Sequence, residues 1–165
     1  MAFDIQFKLI YQGIWDVFRV RSLSYKNLIV WQDSRRLNRE IYNLAFKFPR
    51  FELYALSDQL RRACVSVTSN IAEGYGQGSL RNRLRYLYMA RGSLYETETQ
   101  LLVAVDLGFV NEADIQAALN LEEKISKMLN GLIRANEERI KNGNMGRMGE
   151  DACEYGARDI LIPNP

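Results

Sequence analysis

The chain has 165 residues, of which 47% are hydrophobic and 25% are charged, a composition typical of a soluble globular domain. It contains no histidine, which excludes Ser–His and Cys–His nucleophile systems and removes the commonest protein ligand of transition metals. The net charge is only +2, and no apolar run reaches the roughly 18 residues that a membrane span needs. With two cysteines, this composition predicts a cytoplasmic protein that has no membrane segment, metal or cofactor.

Residues 1–24 carry large apolar side chains without one clear period. Alternation from Phe3 to Leu9 permits a short strand, whereas the spacing of Ile10 and Ile14 permits a helix. We interpret this segment as an N-terminal extension whose order the pattern leaves open.

A first helix is predicted from about Asn27 to Phe48, because apolar residues recur there at helical spacing. Pro49 follows, and proline disfavours continuation of a helix. The apolar stripe consists of Val30, Leu37, Ile41, Leu44 and Phe48.

The stretch at 56–96 is central to the sequence and predicts two antiparallel helices. Ser57 is a candidate N-cap of the first of them, which carries an apolar stripe at steps of four and three. Three glycines then break this helix: Gly74, Gly76 and Gly78.

Two further helices are predicted after these glycines. The third runs from about Ser79 to Leu107, and Gly92 in its interior costs roughly 1 kcal/mol relative to alanine. We therefore expect a neighbouring backbone to approach Gly92 closely. The fourth begins at Asn111, a candidate N-cap with Asp114 three residues on, and ends near residue 141.

Four amphipathic helices with short connections predict an all-α, antiparallel up-down-up-down four-helix bundle. The bundle occupies residues 25–141. Residues 142–165 are glycine-rich and lack periodicity, and they are predicted to form a mostly disordered tail.

A polar stripe runs beside the apolar face of the second helix, and Arg91 occupies a heptad position of the third where an apolar residue is expected. An arginine buried without a partner costs several kcal/mol, so we predict that nearby polar side chains pair with it. We favour a buried polar network that fixes helix pairing; a ligand pocket between the helices is the alternative. The predicted network consists of Gln59, Arg62, Ser66, Asn70, Glu73, Arg91 and Glu98.

Charge is distributed unevenly along the chain. Residues 61–91 hold six arginines and one glutamate, whereas residues 92–123 hold seven acids and no base. This pattern favours either a protein that steers a polyanion to one face or one that joins copies of itself head to tail. A solvated charged surface is the alternative.

The motif GYGQG at 74–78 follows a predicted helix and lacks Gly-Lys-Ser/Thr, so it is not a nucleotide-binding P-loop. Arginines follow it near the positive end of the third helix, with tyrosines nearby that can stack on bases. We predict a nucleic-acid-binding surface here and on other arginines; pairing with the acids of a neighbouring subunit is the rival explanation. The candidate residues are Arg35, Arg36, Arg61, Arg81, Arg83 and Arg85.

Three blocks of sequence carry a resemblance to a known family: LIVWQDSRRLNREIYNLAFKFP, LSDQLRRACVSVTSNIAEGYG and YLYMARGSLYETETQLLVAVDLGFV. In order and spacing, roughly over residues 25–140, they resemble the four-helix bundle proteins encoded in intervening sequences of bacterial large-subunit (23S) ribosomal RNA genes. The matching positions are Trp31, Gln32, Pro49, Gln59, Arg61, Arg62, Ala63, Ser66, residues 70–74, residues 91–94 and Glu96.

The resemblance implies a left-handed bundle that assembles into a homopentameric ring. Similar bundles serve diversity-generating retroelements as accessory proteins that associate with a reverse transcriptase and nucleic acid, a likeness at the level of the fold. We therefore expect a non-enzymatic adapter that binds RNA or DNA. The alternative is a protein-interaction scaffold, or a reverse-transcriptase accessory protein without sequence-specific nucleic-acid binding of its own.

Overall fold

The structure, a computed structural model, describes residues 25–143 of the chain. Within this range the chain forms four α-helices: α1 Ile29–Ala45, α2 Leu56–Gly76, α3 Leu80–Asp106 and α4 Glu112–Lys141. Short 3-10 turns, Tyr25–Asn27 and Arg50–Glu52, precede α1 and α2. The predicted extension at 1–24, and the predicted tail apart from its first two residues, lie outside the described residues.

The helices pack as a four-membered bundle in which α2 contacts α1 and α3, while α4 contacts α3 and α1. The short connections make consecutive helices antiparallel. All four contribute to one hydrophobic core, and each fully buried leucine or isoleucine stabilises the fold by roughly 1.5–3 kcal/mol. The predicted stripe of the first helix is buried at every position, but α1 ends at Ala45, three residues earlier than predicted, so Phe48 is buried from the connection that follows α1. The predicted all-α four-helix bundle is therefore confirmed.

Three predicted helix boundaries are confirmed by local contacts. The Ser79 hydroxyl accepts a hydrogen bond from the Asn82 backbone N–H at 3.2 Å, which caps α3. Gly108 follows α3 with a φ of +71°, a backbone conformation that favours glycine. Asn111 and Asp114 form a reciprocal capping box at the start of α4.

The prediction that Ser57 caps α2 is wrong. The helix begins at Leu56, two residues before the start that a cap at Ser57 implies, and the Leu56 backbone N–H donates to the Glu52 carboxylate at 3.1 Å. The Ser57 hydroxyl instead donates to the Ala45 carbonyl at the end of α1, at 3.5 Å. A carboxylate supplied by the preceding turn therefore does the capping.

The glycines after α2 also differ from the prediction, because α2 continues through Gly74 and ends at Gly76. A Cβ added at Gly74 would lie 3.0 Å from the Tyr86 Cβ and 3.4 Å from the Arg83 carbonyl oxygen. Gly74 is therefore required by the close approach of α2 to α3, and Gly78 is the glycine that lies in the connection.

The expected close approach at Gly92 is not found. Gly92 is exposed, and a Cβ added there would meet no atom of residues 25–143 within 4 Å. The lower helix propensity of Gly92 relative to alanine is therefore not offset by packing within the described part of the chain.

None of the four described helices combines the length and apolar character that crossing a bilayer requires.

Candidate nucleic-acid interface

One end of the bundle gathers the start of α3 and the end of α4, because consecutive helices alternate in direction. Arg81, Arg83 and Arg85 lie in the first two turns of α3. Burial is the main cause that lowers the pKa of Arg83, and the positive charge of Arg139 on α4 adds to it. Ile140 of α4 lines the same surface depression as Arg81 and Arg85. We call this surface, with Lys141 at the end of α4, the basic end.

The depression at the basic end has a volume of about 610 Å³ and is open to solvent. Its lining includes Arg81 and Arg85 together with Tyr88 and Met89, residues that are 37% and 46% exposed. The Tyr88 hydroxyl donates to the Glu137 carboxylate, and this bond raises the pKa of Tyr88 above its ordinary value. Exposed cations beside an aromatic ring can contact phosphates and stack on a base.

Arg83 differs from its two neighbours because it is half-buried. Its guanidinium lies 4.4 Å from the centroid of the Tyr75 ring, at the end of α2. Burial lowers the pKa of Arg83 and raises that of Tyr75, although the guanidinium stays charged at neutral pH. Arg83 therefore packs the connection between α2 and α3, and Arg81 and Arg85 are the exposed cations.

Arg35 and Arg36 lie about two turns inside α1, away from its N-terminal end. The Arg35 guanidinium lies 5.1 Å from the centroid of the Trp31 ring. Arg36 pairs with the buried Asp33 carboxylate at 2.8 Å, so its charge is partly neutralised.

Arg61 lies near the start of α2, at the opposite end of the bundle from Arg81 and Arg85. Its guanidinium donates to the Leu53 carbonyl at 3.1 Å and lies 3.8 Å from the Asp58 carboxylate. The six predicted arginines therefore do not form one surface; only Arg81, Arg83 and Arg85 are brought together.

The predicted buried network of seven polar residues is not assembled within the described chain. Ser66 and Asn70 do meet, because the Asn70 amide donates to the Ser66 hydroxyl at 3.0 Å. The Ser66 hydroxyl also shares a hydrogen bond with Ser93 across α2 and α3, at 2.9 Å. This small cluster is the part of the prediction that the structure retains.

Arg91 finds its partners elsewhere. Its guanidinium donates to the Asn130 side-chain oxygen of α4 at 3.0 Å and lies 5.0 Å from the centroid of the Tyr88 ring. It is half-buried, and a polar partner from α4 and an aromatic ring replace the predicted contacts with α2 and with Glu98.

The other four members of the predicted network are exposed: Gln59, Arg62, Glu73 and Glu98. At 3.6 residues per turn, Arg62 and Glu73 lie roughly 140–160° around α2 from the buried Leu60. They therefore face away from the core. Arg62 pairs locally with Asp58 at 3.2 Å.

Asp33 is a buried charge that the sequence reasoning missed. Its side chain is 1% exposed, and its carboxylate is contacted by Arg36 at 2.8 Å and by Lys124 of α4 at 2.7 Å. The available signal was its position, three residues after Val30 and four before Leu37 on the apolar stripe. The ion pair with Lys124 joins α1 to α4.

Glu122 is the second buried carboxyl that was missed, and it lies three residues before the buried Ile125. Burial is the main cause that raises the pKa of Glu122 to about 8, and the negative charge of Glu98 adds to it. Its position on the apolar stripe of α4 was the available signal.

Cys64 is fully buried, and its thiol donates to the Arg61 carbonyl at 3.2 Å. Burial raises the pKa of Cys64 to about 12, so the thiolate is not populated at neutral pH. Cys64 is therefore a core residue and not an activated nucleophile. Among residues 25–143, no group of three or more His, Cys, Asp or Glu side chains is arranged to hold a metal ion.

Comparison with known proteins identifies the family. The sequence model of the 23S rRNA-intervening sequence proteins matches residues 26–131. The crystal structure of a protein of unknown function from the S23 ribosomal protein family of Bacteroides thetaiotaomicron is similar, with a TM-score of 0.60 and 23% identity. That match covers 64% of this chain and 98% of the other, and at this identity it supports the fold alone. A search of curated proteins found no match. Because the family match spans more than half of the chain, the protein belongs to the 23S rRNA-intervening sequence protein family.

Proposed function

We propose that the protein is a non-enzymatic adapter that binds RNA through the basic end of its bundle. The observation that carries this proposal is the grouping of Arg81 and Arg85 with Arg139 at one end of the molecule. Phosphate contacts of this kind supply most of the affinity of sequence-independent nucleic-acid binding.

Two features of α3 favour phosphates at this position. Arg81 and Arg85 are four residues apart, so they lie on the same face of the helix. Both also lie near the N-terminus of α3, where the helix dipole favours negative charge. Tyr88, one turn further on, adds an exposed ring on which an unpaired base can stack.

The test is a double variant, Arg81→Ala/Arg85→Ala, which leaves the packed Arg83 in place. We expect its affinity for a structured RNA to fall roughly tenfold, because two exposed phosphate contacts are lost. The slope of log affinity against log salt should fall by roughly 1.5, since each contact releases less than one counterion. Fluorescence anisotropy at several salt concentrations measures both quantities.

The matched control is Arg50→Ala/Arg62→Ala, which removes two exposed arginines near the start of α2. The change in net charge is the same, but these residues lie at the opposite end of the bundle. Equal losses in both double variants would mean that only net charge matters. The proposal fails in that case, and it also fails if the wild-type protein binds no RNA at low salt.

A protein-interaction scaffold, or an accessory protein of a reverse transcriptase, is the second candidate function. It is favoured by exposed aromatic side chains at the opposite end of the bundle, where Phe46, Phe51 and Tyr54 are 83%, 75% and 90% exposed. Capture of a partner that survives nuclease treatment and is lost on Phe51→Ser would support this candidate.

We also propose that the protein assembles into a ring of five copies. Support comes from the opposite charges of residues 61–91 and 92–123, and from the exposed Tyr95 and Leu102 along α3. Light scattering should then give five times the 19.1 kDa mass of one chain. A monomeric mass at low and high salt would contradict the ring.

A further inference from the structure

A second depression, of about 510 Å³, lies between the middle of α3 and the first half of α4, away from the basic end. Its lining is rich in hydrogen-bond acceptors and also includes apolar groups. The residues on which the argument depends are Leu94, Tyr95, Glu98, Leu119, Glu122 and Glu123.

Glu122 is the unusual member of this lining because it is only 4% exposed. Within residues 25–143, neither of its carboxylate oxygens has a hydrogen-bond partner. Buried polar groups in proteins are nearly always paired, because an unpaired one loses its hydration without compensation. Glu122 therefore places an unsatisfied acceptor in the wall of the depression, with its two oxygens almost entirely withdrawn from solvent.

The cations nearest in sequence are already paired with other carboxylates, although Lys127 itself lines the depression. Lys124 pairs with Asp33 at 2.7 Å, and Lys127 pairs with Glu123 at 2.6 Å. The other carboxylate of the depression that faces Glu122 is Glu98, whose like charge makes ionisation of Glu122 harder. The cation of the lining is therefore held by Glu123, and none of the donors in the lining, Gln116, Asn120 and Ser126 among them, reaches the Glu122 carboxylate.

We propose that this depression binds an organic cation, an alkylammonium or alkylguanidinium group, with Glu122 and Glu98 as its counter-ions. A guanidinium or ammonium group supplies the donors that Glu122 lacks, and it can also pair with the exposed Glu98. The Tyr95 ring offers a cation–π contact, while Leu94 and Leu119 can pack against an aliphatic chain. The volume lies in the range of small-molecule sites.

A metal ion fits this depression less well than an organic cation. Calcium takes six to eight oxygen ligands, and magnesium requires near-octahedral geometry. The apolar lining contributes nothing to either ion, and no cluster of three acidic or thiol ligands is present among residues 25–143.

The cation has two possible sources, a free polyamine or the arginine or lysine side chain of a second copy of this chain. Calorimetric titration with agmatine and with spermidine at about pH 8 and fixed ionic strength tests the first source. Wild-type protein should bind at least one of them with a dissociation constant on the order of 1 mM or below. Light scattering on the same samples tests the second source.

Three variants make the test specific. Glu122→Gln keeps the size of the side chain and should weaken agmatine binding roughly tenfold or more, the effect expected for loss of a charged partner. Glu98→Gln, at an exposed position, leaves the fold intact and should weaken binding by a smaller factor. Glu112→Gln removes an exposed acid from the first turn of α4, outside the depression, and should bind like wild type.

Saturable binding that is weakened by Glu122→Gln but not by Glu112→Gln would support a free cation. No agmatine binding, together with a self-association of wild type that Glu122→Gln abolishes, would support the side chain of a second copy. Binding that is equal in wild type and Glu122→Gln, or the absence of both effects, would overturn the proposal.

Discussion

Wild-type protein is expected to lose stability as the pH rises from about 5 to about 8, whereas Glu122→Gln is expected to lose much less. The pKa of Glu122 is raised from 4.5 to about 8 in the folded protein, mainly by burial. Below the ordinary pKa the carboxyl is protonated in both the folded and the unfolded state, so burial carries no charge penalty. Above about pH 8 it is ionised in both states, and the folded state bears the full cost of a buried charge. At 1.36 kcal/mol per pKa unit, the loss is roughly 3–5 kcal/mol.

Urea denaturation at a series of pH values measures this effect as the difference in unfolding free energy between wild type and Glu122→Gln. Other carboxylates contribute to both proteins and cancel in the difference. Asp114, for example, accepts a hydrogen bond from Lys47 that lowers its pKa, so its contribution is lost as the pH falls. Glu112→Gln is the control, and its curve should run parallel to that of wild type. A difference between wild type and Glu122→Gln that does not change with pH would show that Glu122 is not buried as a charge.

Gly74→Ala is expected to destabilise the protein by roughly 1–3 kcal/mol, although alanine is the better helix former. The new methyl group would lie 3.0 Å from the Tyr86 Cβ and 3.4 Å from the Arg83 carbonyl oxygen. Neither atom can move by a change of side-chain rotamer, because one is a Cβ and the other belongs to the backbone. The start of α3 would therefore have to shift away from α2.

The control for this prediction is Gly76→Ala at the last residue of α2. A Cβ there meets no atom of residues 25–143 within 4 Å, so this variant should be as stable as wild type or slightly more stable. Thermal and urea denaturation of the two variants measure the difference. If Gly74→Ala is as stable as Gly76→Ala, the close approach of α2 to α3 has been overestimated.

The local part of this fold could be predicted from the sequence because its causes act within a few residues. The cap at Ser79, the capping box of Asn111 with Asp114 and the left-handed Gly108 each depend on neighbours no more than about four positions away. The apolar stripe of α1 has the same local character, since burial follows the helical period. The blocks that resemble the family are likewise a property of the chain itself, and the family match confirms that resemblance. RNA binding, the ring and the absence of catalysis stay predictions.

The polar sites depended on the packing of distant segments, and there the sequence reasoning failed. Arg91 was assigned partners on α2 and, with Glu98, on α3 itself, yet it binds Asn130, 39 residues away on α4. The unpaired Glu122 lies on the apolar stripe of its helix, but only the approach of α3 shows that Glu98, a like charge, faces it.

The sequence by itself therefore determined the helices, the capping box of α4 and the bundle, because hydrophobic period and capping are local, whereas the cap of α2 was assigned to the wrong residue. The tertiary structure decided which arginines share a surface, which glycine is crowded and which carboxylate is left without a partner. Those outcomes depend on the rotation of each helix about its axis and on the neighbour that it meets. Successive residues lie some 100° apart around a helix, so a modest rotation of the helix about its axis exchanges buried positions for exposed ones. The periodicity of one helix also does not specify which side chains of a neighbouring helix it contacts.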